Sequence, residues 1–292
     1  MKEKRFNIVG IGEVLWDWLP TGKHLGGAPA NFAYISKQLG NNGIVLSRVG
    51  NDEAGKELLD ELKSKKLSTE KIQIDNINQT GLVKVTFANN QPSYEIIENV
   101  AWDFMGFSDN WRETAINADA VCFGALAQRN NVSQRTICEF VNLVSKLRVF
   151  DVNLRQNYFS IKILRKSMDL ASVVKLNHEE LPIVAEMFGV QHQNPMKAAE
   201  DLLIKFDLNL ICITSGENGS VLITKNEISK YPGVKIKLAD TIGAGDAFTA
   251  AMTDGILRGL TLDEINEKAN RIAAFVATKE GAMPEFPKDK VY

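Results

Sequence analysis

The chain has 292 residues, of which 45% are hydrophobic and 24% charged, and its 34 basic and 36 acidic side chains give a formal net charge of −2. This length accommodates one large α/β domain or two small ones. Because the charge is nearly balanced, we expect no nucleic-acid partner, whose phosphates a basic surface would have to neutralise. The apolar runs are strand-sized, whereas about 20 apolar residues are needed to span a bilayer, and the first residues do not resemble a signal peptide. We therefore expect a cytoplasmic protein without a membrane partner.

Short β-branched runs alternate with longer segments of helical periodicity through most of the chain. The predicted strands are 6–12, 44–49, 120–123, 148–152, 173–176, 210–214 and 220–223. The predicted helices are 30–39, 53–65, 132–147, 161–171, 178–188, 195–206, 244–258 and 262–279. This alternation is typical of a mostly parallel sheet covered by helices on both faces, and it predicts one domain over residues 1–292.

One stretch interrupts the alternation. Residues 80–87 and 93–97 are extended runs joined by Asn89-Asn90, which indicates a β-hairpin. Because no crossover helix accompanies it, we expect an excursion at about 13–25 and 78–104 that forms a small projecting sheet. Such a sheet would close over a ligand, and its apolar side chains favour a homodimer that pairs through it. These side chains are Val83, Val85, Phe87, Ile96 and Ile97.

The segment most informative about chemistry is 240–248, where glycines precede a strongly helical run. Glycines before a helix let the backbone turn tightly, so that unpaired amides at the helix start converge on one point with the helix dipole behind them. This predicts an anion hole formed by the amides of Gly243, Ala244 and Gly245. Asp246 falls in the first turn, where a carboxylate suits the helix dipole, so a plain capping role is the alternative.

A second glycine pair, Gly26-Gly27, also leads into a predicted helix, with Asn31 in its first turn. The Asn31 amide offers a donor and an acceptor to a polyhydroxylated ligand. Glu13 and Asp17 follow the first predicted strand, at the carboxyl edge where open α/β sheets bind ligands. Surface-loop and capping roles are the alternatives for Asp17 and Asn31.

With these segments in this order, the sequence resembles the ribokinase (PfkB) family of carbohydrate kinases. Residues 26–59 resemble the family's first signature, 240–248 its second and 80–97 its substrate lid. Residues 12–17 and 99–103 look most like the fructokinase branch. The resemblance implies a ribokinase-like three-layer sandwich with a mostly parallel central sheet and a small β-sheet lid.

The resemblance also implies a reaction, the ATP-dependent phosphorylation of a sugar hydroxyl, with D-fructose to fructose 6-phosphate as the first candidate. Asp246 would be the general base, and the amides of residues 243–245 would stabilise the transferring phosphoryl group. The side chains and backbone that would hold the sugar are those of Asp17, Gly26, Gly27 and Asn31. Other candidate substrates are 2-keto-3-deoxygluconate, ribose or a nucleoside, and a non-catalytic sugar or nucleotide sensor is the alternative of another class.

Residues 175–180 resemble the family's NxxE motif, which implies that Asn177 and Glu180 lie near the nucleotide phosphates. Glu180 would organise Mg²⁺ through bound waters, although a helix-capping arrangement fits the same residues. The segment of Arg155 resembles the family's DPNxR segment, with Val152 in place of proline. Arg155 would contact sugar or phosphate unless it forms a structural salt bridge.

The loop of residues 214–219 resembles the family's phosphate-receiving loop, although a tight turn is the alternative. The remaining nucleotide-binding candidates are Thr214, Gly216, Gly219 and Asn270. Some relatives carry a monovalent cation, and by analogy K⁺ would bind Asp240 and the Ile242 carbonyl. Near the lid, the basic candidates are Lys84 and Arg155, which favours a neutral sugar over an acidic one. We therefore expect ATP, Mg²⁺ and a small sugar as ligands.

Overall fold

The computed structural model of the chain describes residues 4–19, 22–88 and 91–287. Its helices are α1 (Ala28–Gln38), α2 (Glu53–Ser64), α3 (Asp109–Asn117), α4 (Asn131–Leu143), α5 (Ile161–Leu170), α6 (Glu180–Met187), α7 (Pro195–Lys205), α8 (Ala244–Arg258) and α9 (Leu262–Ala277). Short 3-10 helices cover Ala101–Phe104, Leu126–Gln128 and Gly216–Asn218. Within the described ranges, no helix has the length and apolarity that a membrane crossing requires.

The strands are distributed over three sheets. In chain order they are β1 (Asn7–Ile11), β2 (Leu15–Leu19), β3 (Gly22–Gly26), β4 (Asn42–Leu46), β5 (Arg48–Gly50), β6 (Gln73–Asp75), β7 (Gly81–Ala88), β8 (Gln91–Ile96), β9 (Ala120–Gly124), β10 (Leu147–Asp151), β11 (Val173–Asn177), β12 (Leu210–Thr214), β13 (Ser220–Ile223) and β14 (Ile228–Tyr231). The main sheet has the order β14-β13-β12-β11-β10-β9-β1-β4. It is parallel from β12 to β4, and β13 and β14 are antiparallel additions at one edge.

Helices cover both faces of the main sheet because successive strand residues point to opposite faces. In β1, Ile8 belongs to a buried core with Phe32 of α1 and Phe248 of α8. The next residue, Val9, belongs to a second buried core, which includes Phe140 of α4 and Leu202 of α7. The two cores make a three-layer α/β sandwich, which confirms the predicted fold class.

The small sheet, which we call the lid, has the order β3-β2-β7-β8. Its strands fall within the predicted excursion, whereas the Asn89-Asn90 turn lies outside the described residues. Val83 and Ile96 are buried in the main-domain core and are not available on an outer lid surface. The expectation that they form a dimer face is therefore wrong.

Of the remaining face residues, the structure describes the side chain of Ile97. Ile97 is partly buried and packs against the same core. The side chains of Val85 and Phe87 lie outside what the structure describes.

The predicted strand at 44–49 is two strands in the structure. Strand β4 belongs to the main sheet, and after Ser47 the chain enters β5, which pairs with β6 in a separate two-stranded sheet. Arg48 and Asp75 hold this small sheet together through an ion pair of 2.9 Å. The predicted helix at 132–147 ends early, at Leu143, because residue 147 already starts β10.

Helix α3 and strand β14, like strand β6, were not predicted from the sequence. Helix α3 begins after Ser108, whose hydroxyl caps it by accepting from the Trp111 amide, and it buries Trp111 and Ala115. Strand β14 is a short edge strand with one buried residue in four, Ser229. Neither segment has enough apolar residues to show a clear period.

Candidate active site

The carboxyl ends of the parallel strands collect the predicted site residues at one edge of the sheet. Glu13 follows β1, Asp151 ends β10, Asn177 ends β11 and Thr214 ends β12. Because these strands are parallel neighbours, their ends meet at the same edge. Helix α8 packs against β10, which brings the amino end of the helix, with Asp246, to this edge.

Helix α8 starts with the geometry that the glycine-rich segment predicts. Gly243 is its N-cap and has φ +76°, and a Cβ there would lie 2.4 Å from the Ala282 Cβ, so only glycine fits. The amides of a first helical turn have no acceptor within the helix. The Ala244 amide donates a hydrogen bond of 3.3 Å to the Thr241 carbonyl oxygen, which closes the turn before the helix. An anionic group at this helix start would meet the positive end of the dipole.

Asp246 is half-buried in the first turn and does not cap its own helix. Its Oδ2 accepts a hydrogen bond of 2.8 Å from Nδ2 of Asn31, which lies on α1. Burial and the nearby Asp151 carboxylate raise the pKa of Asp246 from 3.8 to about 6, while Asn31, Lys175 and Arg155 oppose that shift. A carboxylate with this pKa is ionised at neutral pH and basic enough to accept a proton.

A buried ion pair, Asp151–Lys175, lies next to the start of α8. Lys175 Nζ donates to both oxygens of Asp151 at 3.1 and 3.2 Å, and the Thr249 hydroxyl donates to Asp151 Oδ2 at 2.8 Å. Burial alone would lower the pKa of Lys175, but the carboxylates of Asp151, Glu180 and Asp246 outweigh it and raise that pKa. Sequence reasoning missed Lys175, although a lysine inside an apolar strand is a signal of a paired buried charge.

A cavity lies in front of Asp246. Its lining is formed by Glu13, Ala28, Pro29, Phe32, Cys122, Phe123, Gly124, Asp151, Asn153, Asp246 and Thr249. Glu13 is buried, and this burial raises its pKa from 4.5 to about 7, with a smaller contribution from the Asp246 charge. The cavity thus places two carboxyl groups of perturbed pKa together, which is typical of functional sites.

The predicted sugar-binding residues lie beside this cavity and not in its lining. Asn31 contacts the lining residue Asp246, and Gly27 directly precedes the lining residue Ala28. A Cβ on Gly26 would lie 2.2 Å from Asp17 Oδ2, and one on Gly27 would lie 2.4 Å from the Glu13 carbonyl oxygen. Both glycines therefore permit close packing of β2, β3 and α1. The Oδ1 atom of Asn31 is buried and has no hydrogen-bond partner in the described part of the chain. An acceptor buried without a partner fits a ligand hydroxyl.

Arg155 is exposed, and its charge acts on the acidic groups of this region. Burial raises the pKa of Asp17, whereas the charges of Arg155 and His24 lower it. The Arg155 charge acts in the same direction on Glu13 and Asp246. The structure therefore brings Arg155 near Asp17, and contact of either residue with a sugar stays a prediction.

The NxxE segment adopts the capping arrangement that was its alternative interpretation. Asn177 Oδ1 accepts the amides of Glu179 and Glu180 at 2.9 and 2.8 Å, and Glu180 Oε2 accepts the Asn177 amide at 2.8 Å. Glu180 Oε1 accepts the Leu154 amide at 2.8 Å. Because both carboxylate oxygens are engaged, a role of Glu180 toward a metal is compatible with this geometry only through bridging water.

The loop between β12 and β13 is a tight turn with two glycines of positive φ, Gly216 and Gly219. A Cβ on Gly219 would lie 1.9 Å from the Tyr231 carbonyl oxygen, so the turn requires glycine there. The Thr214 carbonyl accepts the His178 amide at 2.9 Å, which ties this loop to the NxxE segment.

Asn270 lies behind that loop in a buried network. Its Nδ2 donates to the Ser220 hydroxyl at 2.7 Å and to the Asn266 carbonyl oxygen at 2.8 Å. Asn270 therefore stabilises the start of β13 through its hydrogen bond to Ser220. A nucleotide contact by Asn270 stays a prediction, and it would have to use the amide oxygen.

Asp240 joins the segment before α8 to the segment after α9. Its Oδ1 accepts the Ile242 amide at 2.9 Å, and its Oδ2 accepts the Gly281 amide at 3.2 Å. Across the described ranges, no group of three or more His, Cys, Asp and Glu side chains could hold a metal ion. The K⁺ site at Asp240 and Ile242 stays a prediction.

A half-buried carboxylate at a glycine-led helix start beside an acidic cavity suits group transfer on this three-layer fold. The sequence matches the pfkB family of carbohydrate kinases over residues 20–289, and the chain belongs to that family. PH1459 of Pyrococcus horikoshii, an uncharacterized sugar kinase, is 34% identical over 97% of this chain and 94% of its own. Its crystal structure superposes with a TM-score of 0.82 over 94% of this chain and 93% of that one.

Two further relatives differ in what they act on. The ATP-dependent 6-phosphofructokinase of Thermoanaerobacterium thermosaccharolyticum is 29% identical over 98% of this chain and 92% of its own. The fructokinase of Xylella fastidiosa, solved with bound ATP, has a TM-score of 0.83 at 21% identity and covers 96% and 95% of the two chains. At that identity the likeness shows the fold alone.

Proposed function

We propose that the protein is an ATP-dependent kinase of a neutral sugar and that Asp246 is its general base. The observation that carries this proposal is the Asp246 carboxylate at the start of α8, held by Asn31 at 2.8 Å and with its pKa raised to about 6. A plain binding module has no use for such a base, whereas phosphoryl transfer to a hydroxyl does. The alternative of a non-catalytic sensor is therefore disfavoured.

In the proposed reaction, a sugar hydroxyl lies against Asp246 and attacks the γ-phosphorus of ATP. The new bond forms between the sugar oxygen and phosphorus, the bond from phosphorus to the ADP oxygen breaks, and the hydroxyl proton moves to Asp246. The first-turn amides of α8 and the helix dipole stabilise the charge on the transferring group. The ammonium group of Lys175, paired with Asp151, lies close to this helix start.

ATP and Mg²⁺ are proposed as the cosubstrate and the metal. Relatives support both, since PH1459 has been solved with ATP, and a ribokinase-like protein of Escherichia coli has been solved with ATP and Mg²⁺. Here Glu180 would hold the ion through water, which suits a cation that gives up its water ligands reluctantly. The ion supplies positive charge that neutralises the phosphates. K⁺ is proposed as a further ligand, bound by Asp240 and the Ile242 carbonyl oxygen.

The charges around the cavity favour a neutral sugar. Glu13 and Asp17 are acidic, and Arg155 is the cation that faces them. A sugar acid or a sugar phosphate would add negative charge beside these carboxylates, which costs binding energy. D-Fructose is the first candidate because the sequence resembles fructokinases, and ribose or a nucleoside is the alternative.

The test is ADP release in a coupled assay with ATP and Mg²⁺ against fructose, fructose 6-phosphate, glucose, ribose, 2-keto-3-deoxygluconate and adenosine. We expect turnover of fructose and little turnover of fructose 6-phosphate. Preference for the phosphorylated or acidic sugar would overturn the neutral-sugar assignment. Sugar binding in calorimetry without turnover of any sugar would favour the sensor instead.

We also propose a homodimer that associates through the lid. The support is Trp18 of β2, which is 54% exposed, although Val83 and Ile96 cannot take part. Light scattering during size-exclusion chromatography tests it. We expect twice the chain mass for the wild type and a smaller mass for Trp18→Lys, and a monomeric wild type at micromolar concentration would remove the idea.

A further inference from the structure

Both arms of the lid enter the main domain at one cluster, which we call the lid base. It comprises Gly81, Trp102, Asp103, Arg129 and Tyr158. Gly81 starts β7, and Trp102 and Asp103 follow the end of β8. Arg129 follows β9, and Tyr158 lies between β10 and α5. Four segments distant in sequence therefore meet where the lid begins and ends.

Arg129 is the centre of the lid base. Its side chain is only 6% exposed, and it forms a forked pair with Asp103 through Nε and Nη2, both at 2.8 Å. Nη2 also donates to the Ile97 carbonyl oxygen, one residue beyond β8. The guanidinium carbon lies 4.0 Å from the ring centroid of Trp102 and 4.7 Å from that of Tyr158. One cation thus holds the returning lid arm by charge, hydrogen bonds and stacking.

Tyr158 ties the same lid arm to the loop that carries the sugar-side residues Asn153 and Arg155. Its hydroxyl lies 3.1 Å from the Ile96 carbonyl oxygen and 2.9 Å from Glu98 Oε1, and it can donate its proton to either. The loop is rigid at its other end as well, because the Leu154 amide donates to Glu180. The end of β8 is therefore fixed relative to the mouth of the cavity.

The outgoing arm is held at the same place. A Cβ on Gly81 would lie 2.4 Å from Trp102 Nε1, so the indole packs directly on the start of β7. Just before it, Thr80 donates to the Asp52 carboxylate through its amide and its hydroxyl, at 2.8 and 2.6 Å. Strand β7 pairs in parallel with β2, where Val83 lies opposite Asp17. The lid base is therefore linked to Asp17 through β7.

We propose that Arg129 and Tyr158 are positioning residues that fix the lid, and with it Asp17, against the loop of Arg155. This inference rests on the proposed sugar-kinase function. The charge of Arg155 lowers the pKa of Asp17, so the two side chains are near enough to attract each other, and the lid base contacts the two elements that carry them. A loosened base would leave Asp17 and Arg155 intact but poorly placed around the sugar, and it would admit water to the phosphoryl group. ATP binding should change little, because Glu180 on the proposed nucleotide side contacts this loop at Leu154 and not at Tyr158 itself.

The test uses Tyr158→Phe, which keeps the ring over Arg129 and removes the hydroxyl, and Arg129→Lys, which keeps the charge but loses the fork and the stacking. For Tyr158→Phe we expect the KM for sugar to rise about threefold to tenfold with an unchanged KM for ATP. For Arg129→Lys we expect kcat/KM for sugar to fall about tenfold to a hundredfold and a larger share of ATP to be hydrolysed by water. The matched control is Tyr34→Phe, which loses a hydroxyl on α1 and should change neither value.

Hydrogen exchange of the amides at residues 95–97 and 153–159 is measured on the same variants and does not depend on turnover. Tyr158→Phe should speed exchange in both segments together, because the hydroxyl joins them. Unchanged exchange and an unchanged sugar KM in Tyr158→Phe would overturn the proposal, as would equal rises in the KM values for sugar and ATP. If the wild type phosphorylates no sugar, the proposed function fails. The exchange measurement still tests the lid base in that case, because faster exchange in Tyr158→Phe shows that the hydroxyl couples the two segments and unchanged exchange shows that it does not. Tyr158→Phe decides this alone if Arg129→Lys does not fold.

Discussion

The two sides of the site satisfy their polar groups in different ways. On the proposed sugar side, Asn31 Oδ1 has no partner within the described residues, and the pKa values of Glu13 and Asp246 are raised to about 7 and about 6. On the proposed nucleotide side, Asn177 and Glu180 bond to backbone amides of their own segment. The sugar side thus keeps perturbed side chains for a ligand, and the nucleotide side uses side chains to shape a backbone.

This contrast predicts that substitutions on the sugar side cost activity and spare stability, whereas substitutions on the nucleotide side cost stability first. Buried polar groups that lack hydrogen-bond or charge partners destabilise the fold, so replacing them costs little stability. Groups that satisfy buried amides stabilise the fold, so removing them leaves those amides unpaired.

The largest effect is expected for Asp246→Asn, which removes the base and retains the shape. Turnover should fall about 10²-fold to 10⁴-fold, the range that general-base catalysis contributes. Sugar affinity and the thermal midpoint should stay close to wild type, since the Asn31 contact can be kept by the new amide oxygen. The coupled assay, sugar calorimetry and a melting curve measure the three quantities. Turnover within tenfold of the wild type would show that another group accepts the proton.

Glu180→Ala on the nucleotide side should behave in the opposite way. It leaves the amides of Leu154 and Asn177 without their carboxylate acceptor, which costs about 2 kcal/mol in the free energy of unfolding. Urea denaturation measures this loss, and the KM for ATP should rise as the segment loosens. Glu53→Ala is the matched control, because Glu53 also lies in a first helical turn but is exposed and pairs only with Lys56 at 3.7 Å. Equal stability losses in the two variants would refute the structural role of Glu180.

The fold and the site differ in how far the sequence predicts them. Apart from β14, the main-sheet strands follow from their apolar runs, and the position of Asp246 follows from the glycines that start α8. The partner of Asp246 does not, because Asn31 is 215 residues away and only the packing of α1 on α8 brings them together. The sequence places Glu13 at the carboxyl edge, but its raised pKa depends on burial beside a distant charge. A lysine in an apolar strand, such as Lys175, signals a paired charge, but local patterns do not identify its partner.

The pH dependence of the reaction should follow the raised pKa of Asp246. We expect kcat/KM for sugar to fall below about pH 6, where Asp246 becomes protonated. Glu13 has the higher pKa of the two, about 7, so it is already largely neutral where Asp246 titrates, and Glu13→Gln should leave the acid limb close to its wild-type position. Rates measured from pH 5 to 8 test this, and an acid limb that moves down by about a full pH unit in Glu13→Gln would show that Glu13 is still charged when Asp246 takes up its proton.

The raised pKa values of Asp246 and Glu13 also determine how the stability of the fold changes with pH. Folded Asp246 and Glu13 bind protons at higher pH than their ordinary values of 3.8 and 4.5, so acidification from about pH 7 to 4 favours the folded state at these two groups. Their titration cannot unfold the protein in the range where activity is lost. Melting curves of wild type and Glu13→Gln should therefore converge as the pH falls from 7 to 4. Divergence in that window would mean that Glu13 titrates below its ordinary value.

The smallest effect is expected for Asn270→Ala, which separates the two interpretations of that residue. If Asn270 only supports β13, the loss of its bonds to Ser220 and Asn266 should cost about 1 kcal/mol in unfolding free energy, and the KM for ATP should change less than about twofold. Ser220→Ala removes the other end of the same bond together with the bond from the Ser220 hydroxyl to Asn266 Oδ1, so it should cost at least as much stability and leave the KM for ATP equally unchanged. An increase in the KM for ATP confined to Asn270→Ala would instead place the amide oxygen on the nucleotide. In that case Asn270 would combine both behaviours, supporting the backbone through its nitrogen while its oxygen stays free for a ligand.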